Sequence, residues 1–326
     1  MVRGIAAAAP NAAVLWMERL VEEDIDVEMS SEPQWSIEEY ADETIIGDAA
    51  GILKDAIRQH KFGAIGEILV LREAEAIIAF RDDDGCIALH HAALADDGVT
   101  TAKLLAFANA QQQVMYRDAN GRIALHYAAR LGPVRTAETL LALPSPADQL
   151  LESDQQGMVA LQFACSAGYT PMVELLLKSG APAAQLMKQN QGGWSAIMFA
   201  VAGNRIDILS RLLAADRDGE QLLVAKRDGY NALMIAAATS NLVALRLLMR
   251  SGHLREQLLA VDDDKHNALM LASMRGLKPV VVELLKAGFQ KEQLAMMDRE
   301  RLNAVGLAVR EGHAGLYERR QGPSTQ

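Results

Sequence analysis

Aromatic side chains are scarce in this chain. Three Trp, six Tyr and six Phe make up 5% of 326 residues, although half of the chain is hydrophobic. Rings usually fill thick cores, so this composition points to thin layers of Leu, Ala and Met. No run of 18 apolar residues exists, which excludes a membrane-spanning helix. The opening Met1 to Met17 lacks the continuous apolar stretch and small-residue site of a cleaved signal. Excess positive charge is also missing. Residues 1–48 hold two basic against twelve acidic residues, a net of −10, and the remaining 30 basic and 30 acidic residues cancel. That balance argues against a nucleic-acid groove. Catalytic signatures are lacking too: there is no nucleophile elbow and no phosphate loop, and Gly192-Gly193 belongs to a turn. No enzyme activity and no cofactor are expected.

What is present is a period. Ala88, Ala124, Ala160, Ala196, Ala232, Ala268 and Ala304 are spaced by 36 residues without a slip. An apolar residue follows each, and a second alanine lies four positions on, from Ala92 to Ala308. An apolar pair recurs at Leu104-Leu105, Leu140-Leu141, Leu176-Leu177, Leu212-Leu213, Leu248-Met249 and Leu284-Leu285. A glutamine column runs through Gln113, Gln149, Gln185, Gln221, Gln257 and Gln293. Such a register marks a solenoid, whose units bury their apolar faces only by stacking on one another.

The columns also give the shape of the unit. Asp82, Asp118, Asp154, Asp262 and Asp298 open most units, and a glycine stands three later at Gly85, Gly121, Gly157, Gly193 and Gly229. Asp-x-x-Gly is turn chemistry. Ser195, Asn231, Asn267 and Asn303 precede the repeated alanine as helix N-caps. Pro133, Pro171 and Pro279 open a second helix, whose buried stripe is the Leu pair. Each unit therefore reads as turn, helix, turn, helix, long loop. The Gln column predicts a ladder in which each side chain bonds the backbone of an adjacent long loop; its minor alternative is a peptide-binding row.

The unit Asp118-Ala-Asn-Gly121-Arg-Ile-Ala-Leu125-His126-Tyr-Ala128-Ala129, with Gly132 and Leu140-Leu141, resembles an ankyrin repeat. That family has a turn, two antiparallel helices and a T-P-L-H-x-A-A signature. The resemblance covers residues 46 to 312 and implies an all-α ankyrin-repeat solenoid of helix-turn-helix units with β-turn fingers. Thr-Pro is replaced throughout, the unit is longer than the family's, and the signature His survives only at His90 and His126. Gln162, Met198, Met234, Met270 and Gly306 take its place. The resemblance implies that this His makes a structural hydrogen bond to the neighbouring turn.

The organisation follows from the register. Residues 1–45 form an acidic leader carrying Trp16, Trp35, Ile37 and Tyr40, read either as a partly disordered, solvated segment or as a docking motif. Residues 46–81 read as a degenerate capping repeat, with Lys54, Asp55, Arg58 and Lys61 on its solvent side. Residues 82–312 hold repeats one to seven, starting near 82, 118, 154, 190, 226, 262 and 298; residues 313–326 are an incomplete last repeat and tail. Arg320 and Gln321 occupy the columns of the apolar pair, so the chain ends in half a cap or is a piece of a longer array.

Cys86, His90, His91 and His126 could be assembled into a zinc site, but the ligand spacing of zinc motifs is absent, and no metal is expected. The acidic runs at Asp82 and Asp262 lack calcium-loop spacing. Cys86 and Cys165 lie two repeats apart, beyond bridging distance, which fits a reducing, cytoplasmic setting, with a secreted effector as the other possibility.

Function is expected where columns vary. The position after each turn glycine holds Cys86, Arg122, Met158, Trp194, Tyr230, His266 and Leu302. The resemblance implies that turn tips and the concave edge of the first helices meet a partner, so Arg122, Met158, Trp194, Tyr230 and His266 are the candidate binding residues. Aromatics and Arg favour hot spots. Trp194 is read either as such an anchor or as a packing residue over the loops. The expected function is a protein-interaction adaptor with a protein partner, and neither nucleic acid nor membrane. The alternative is a targeting or regulatory region of a larger enzyme or bacterial effector.

Overall fold

The computed structural model describes residues 43–317 apart from 108, 133 and 217. The acidic leader up to residue 42, Pro133, Arg320 and Gln321 lie outside the described residues. Two compact units divide at Gln155 and Gln156. The first ends at Gln155 and the second begins at Gln156. Among the described residues the secondary structure is helical, with one isolated β-bridge between Ala225 and Asn231.

Each unit is a stack of layers, and the spacing of small residues explains why. The first helices run Ala88–Leu94, Ala124–Leu131, Ala160–Ala167, Ala196–Ala202, Ala232–Ala238, Ala268–Met274 and Ala304–Arg310. Their two alanine columns are buried in every repeat, which lets consecutive first helices in a compact unit lie side by side. The second helices, such as Thr170–Ser179 and Lys278–Lys286, carry Pro171 and Pro279 in their first turns, as the sequence predicts. Of each apolar pair only the first member is fully buried: Leu104, Leu140, Leu176, Leu212, Leu248 and Leu284. The stripe continues backward instead, through Val173, Leu209, Leu245 and Val281, one helical turn earlier.

Residues 43–81 form helices Glu43–Arg58, Phe62–Leu69 and Ala74–Ala79. Leu53, Ala56 and Ile68 are buried in the core, while Asp55 and Arg58 face solvent.

The long loop is where the expectation needs correcting. It contains a third short helix, as at Pro146–Leu151, Pro182–Met187, Leu254–Leu259 and Gln290–Ala295. The glutamine lies on that helix and turns back to its own repeat. Gln149, Gln185, Gln257 and Gln293 donate through Nε2 to the carbonyls of Leu140, Leu176, Leu248 and Leu284, at 2.9–3.2 Å. Three of them also reach Gly180, Gly252 and Gly288. In these four repeats the glutamine therefore caps the C-terminus of the second helix, where carbonyls lack helical partners, rather than linking adjacent loops; Gln113 instead bonds Asn109, and the Gln221 side-chain amide is buried without a hydrogen bond.

The first-helix N-termini come in two designs. In repeats one to three the cap is apolar, and the third helical residue reaches back. His90 and His126 accept from the N–H of Ile87 and Ile123 through Nδ1, and Gln162 accepts from Val159 through Oε1. In repeats five to seven, Asn231, Asn267 and Asn303 accept from the N–H of Met234, Met270 and Gly306. Repeat four has neither. Ser195 makes no capping bond, and its Oγ is buried without a partner, contrary to the sequence expectation. Ser195→Asn should therefore stabilise the protein by about 1 kcal/mol, the usual worth of a cap. Urea midpoints check this; a lower midpoint would mean that the pocket around Ser195 cannot take the amide.

Candidate functional site

The turns at the head of each repeat form a ladder of fingers. Each closes on itself: the N–H of Asp118, Asn190, Lys226, Asp262 and Asp298 donates to the carbonyl four residues on. Each is also tied to the turn before it within its compact unit, as where Gln155 donates to Asn120, Gln191 to Gln156 and Asp263 to Asp228. This approach explains the glycine column. Gly193 has φ +80°, and a Cβ there would stand 2.7 Å from the backbone of Lys226 and Arg227. Lys265 and Arg301 replace glycine in the last two repeats and still adopt positive φ.

The column after the turn glycine faces the next finger, and its residues match their neighbours in chemistry. Arg122 Nε lies 3.6 Å from Asp154 Oδ2. Asn190 Nδ2 donates to Met158 Sδ at 3.4 Å. Lys226 Nζ sits over the Trp194 ring at 5.6 Å. His266 lies between Asp262, 3.4 Å from Nδ1, and Asp298, 3.6 Å from Nε2. These contacts use up surface. Met158 is 7% exposed, and the Arg122 and His266 side chains 22% and 14%.

Trp194 and Tyr230 differ from the rest of the column. Both are half-buried, and the cation of Lys226 is shared between their rings, 4.7 Å from the Tyr230 centroid. Lys226 is itself paired with Asp228. Trp194 leans on Phe199 at 5.3 Å between centroids, which holds the indole in one orientation. Tyr230 lines a hollow of about 760 Å³ together with His266, Met274, Arg275 and the turn carboxylates of Asp263 and Asp264. The contribution of Lys226 was missed in the sequence because it stands in the Asp column.

The signature histidines serve the scaffold. His90 Nε2 donates to the Arg122 carbonyl and His126 Nε2 to the Glu152 carbonyl, each at 3.1 Å. The first contact is to the neighbouring turn, as the resemblance implied, and the second is to a residue two positions ahead of the next turn at Asp154. Gln162 repeats both, donating to the carbonyls of Lys188 and Trp194. Burial pushes the His126 pKa down to about 4, outweighing the Glu152 carbonyl and the Asp154 and Asp118 carboxylates, which favour the charged ring.

The sequence profile of ankyrin repeats (3 copies) matches residues 145–222. The chain carries ankyrin repeats over that segment. Its fold is similar to the crystal structure of the ankyrin repeat domain of Bcl-3, described as a unique member of the IkappaB protein family. The match has a TM-score of 0.60 and 23% identity, and covers 72% of this chain and 97% of that one. A search among curated proteins finds no match. Ankyrin repeats are in general protein–protein interaction modules, and the fold is not a catalytic one. No helix among the described residues is long and apolar enough to cross a membrane.

Proposed function

We propose that this ankyrin-repeat protein acts as an adaptor that takes a protein partner on its turn tips and first-helix edge, centred on Trp194 and Tyr230. The observation that carries the reading is the aromatic pair on adjacent fingers, half-exposed and fixed by Phe199 and Lys226. A rigid, partly exposed ring gives large contact area with little entropy left to lose. The hollow beside Tyr230 offers a concave recess next to it. Arg122, Met158 and His266 belong to the same column, and their engagement with neighbouring turns makes them supports of the surface more than its contact points.

The test starts with capture of partners on the full chain and mass spectrometry. Trp194→Ala should then weaken binding of the captured protein by about 2 kcal/mol or more, as loss of an aromatic anchor does. Titrations of both proteins, with thermal melts as control, measure it. Unchanged affinity moves the site elsewhere. The competing place is a larger hollow of about 970 Å³ against the second helices, where Phe62 and Val99 are exposed beside Lys103 and Arg135.

A further inference from the structure

We propose that Asp82, Cys86 and His91, at the first finger, bind a divalent transition cation of the zinc class. The possible ligand atoms of these three residues all lie within 4.8 Å of one another. Sequence spacing alone gave no reason to expect a metal among Cys86, His90, His91 and His126. The fold removes His90 and His126, because both ring nitrogens of each are engaged with backbone groups. It brings in Asp82 instead, since the turn folds back over the first helix.

The division of labour within Asp82 favours a cation. Its Oδ1 holds the turn, accepting from the N–H of Asp84 at 3.1 Å and of Cys86 at 2.9 Å. Its Oδ2 is left to face His91 Nε2 at 2.8 Å. Cys86 and His91 are both buried. Burial holds His91 below its ordinary pKa, so the imidazole is neutral near pH 7, and the backbone and His91 bonds keep Asp82 a carboxylate. The Cys86 thiol is pushed up to about 11 by burial, so binding must release its proton to solvent as the metal–thiolate bond forms. Thiolate and imidazole together select zinc-class ions over magnesium or calcium. Bond lengths of about 2.0–2.3 Å in a tetrahedral site require Asp82 Oδ2 and His91 Nε2, now 2.8 Å apart, to part around the ion, and leave a fourth position for water.

The other repeats show that the fold does not need these residue types. The same three columns hold Asp118, Arg122 and Tyr127, then Asp154, Met158 and Phe163, then Asn190, Trp194 and Phe199. Tyr127 secures Asp118 through its hydroxyl at 2.5 Å, so a ring at that place can hold the turn without an imidazole. Only repeat one combines carboxylate, thiol and imidazole there. Lys54 on the capping helix opposes the site, with Nζ 3.7 Å from Asp82 Oδ2; it is partly exposed and free to swing outward.

The experiment uses the full chain, reduced and metal-free, titrated with Co(II) alone. A thiolate-to-cobalt charge-transfer band should grow to one equivalent, and Zn(II) should abolish it while raising the melting temperature. Cys86→Ser should remove the band. Asp82→Asn and His91→Phe should each weaken binding by more than about tenfold, since even outer partners of a metal ligand are worth that. Both variants copy what Asn190 and Phe163 already do in sibling repeats, so the metal-free protein stays folded. Lys54→Met should tighten binding. No band in the parent chain, or a band that survives Cys86→Ser, overturns the proposal.

Discussion

Leu176→Ala should lower the unfolding free energy by about 2–5 kcal/mol, the range for truncating a buried leucine. Leu176 has no exposed surface and sits on the inner stripe of helix Thr170–Ser179. That helix packs on its own first helix, Ala160–Ala167, on the short helix Pro182–Met187, and on the next second helix, Ile206–Ala215. A cavity there loosens three contacts at once. The leucine's own carbonyl also receives Gln185, so distortion of the helix end would cost a buried hydrogen bond as well. Urea unfolding followed by circular dichroism measures it, with the exposed Lys178→Ala as reference. Equal midpoints for the two variants would show that the stripe is assigned to the wrong residues.

Stability should also fall as pH drops from about 6.5 to about 4, by an amount on the order of 3 kcal/mol from His126 alone. The sign follows from the depressed pKa. Folding favours neutral His126, so the stabilisation is complete above the unfolded value of 6.5 and disappears as the pH falls through 4. Burial of the ring is the main cause, and a proton on Nδ1 would also abolish the bond that it accepts from Ile123 N–H at 3.0 Å. His90 is built the same way and adds in the same direction. His126→Gln should remove most of this share of the pH dependence, because Gln162 already makes the equivalent bonds without a titrating group. Chemical denaturation of both proteins at pH 7 and near pH 4 is the measurement. An unchanged pH slope in the variant would mean that other groups dominate acid unfolding.

The sequence alone determined the repeat and most of what depends on local chemistry. The 36-residue register, the buried alanine columns, the turns with glycine at positive φ and the prolines in second-helix first turns were legible. Each is a short-range effect of residue type on backbone freedom, repeated often enough to be seen. The asparagine caps were legible for the same reason, and Ser195 was misread because residue type alone does not fix where the hydroxyl turns. The short third helix was not legible. It spans only four to six residues in most repeats, too few to show a period.

Only the tertiary structure decided which groups meet across many residues. Gln185 caps Leu176 because the short helix folds back on the second, a choice that composition cannot make. The column after the turn glycine looked like free surface, yet Arg122, Met158 and His266 are engaged by the next finger, and Trp194 shares Lys226 with Tyr230. Asp82 meets Cys86 and His91 for the same reason: a turn bending over its helix sets side chains together that sequence spacing leaves apart. Backbone propensities act over a few residues and are written in the sequence. Pairing between fingers depends on how the layers stack, and that is settled only when the whole core is packed.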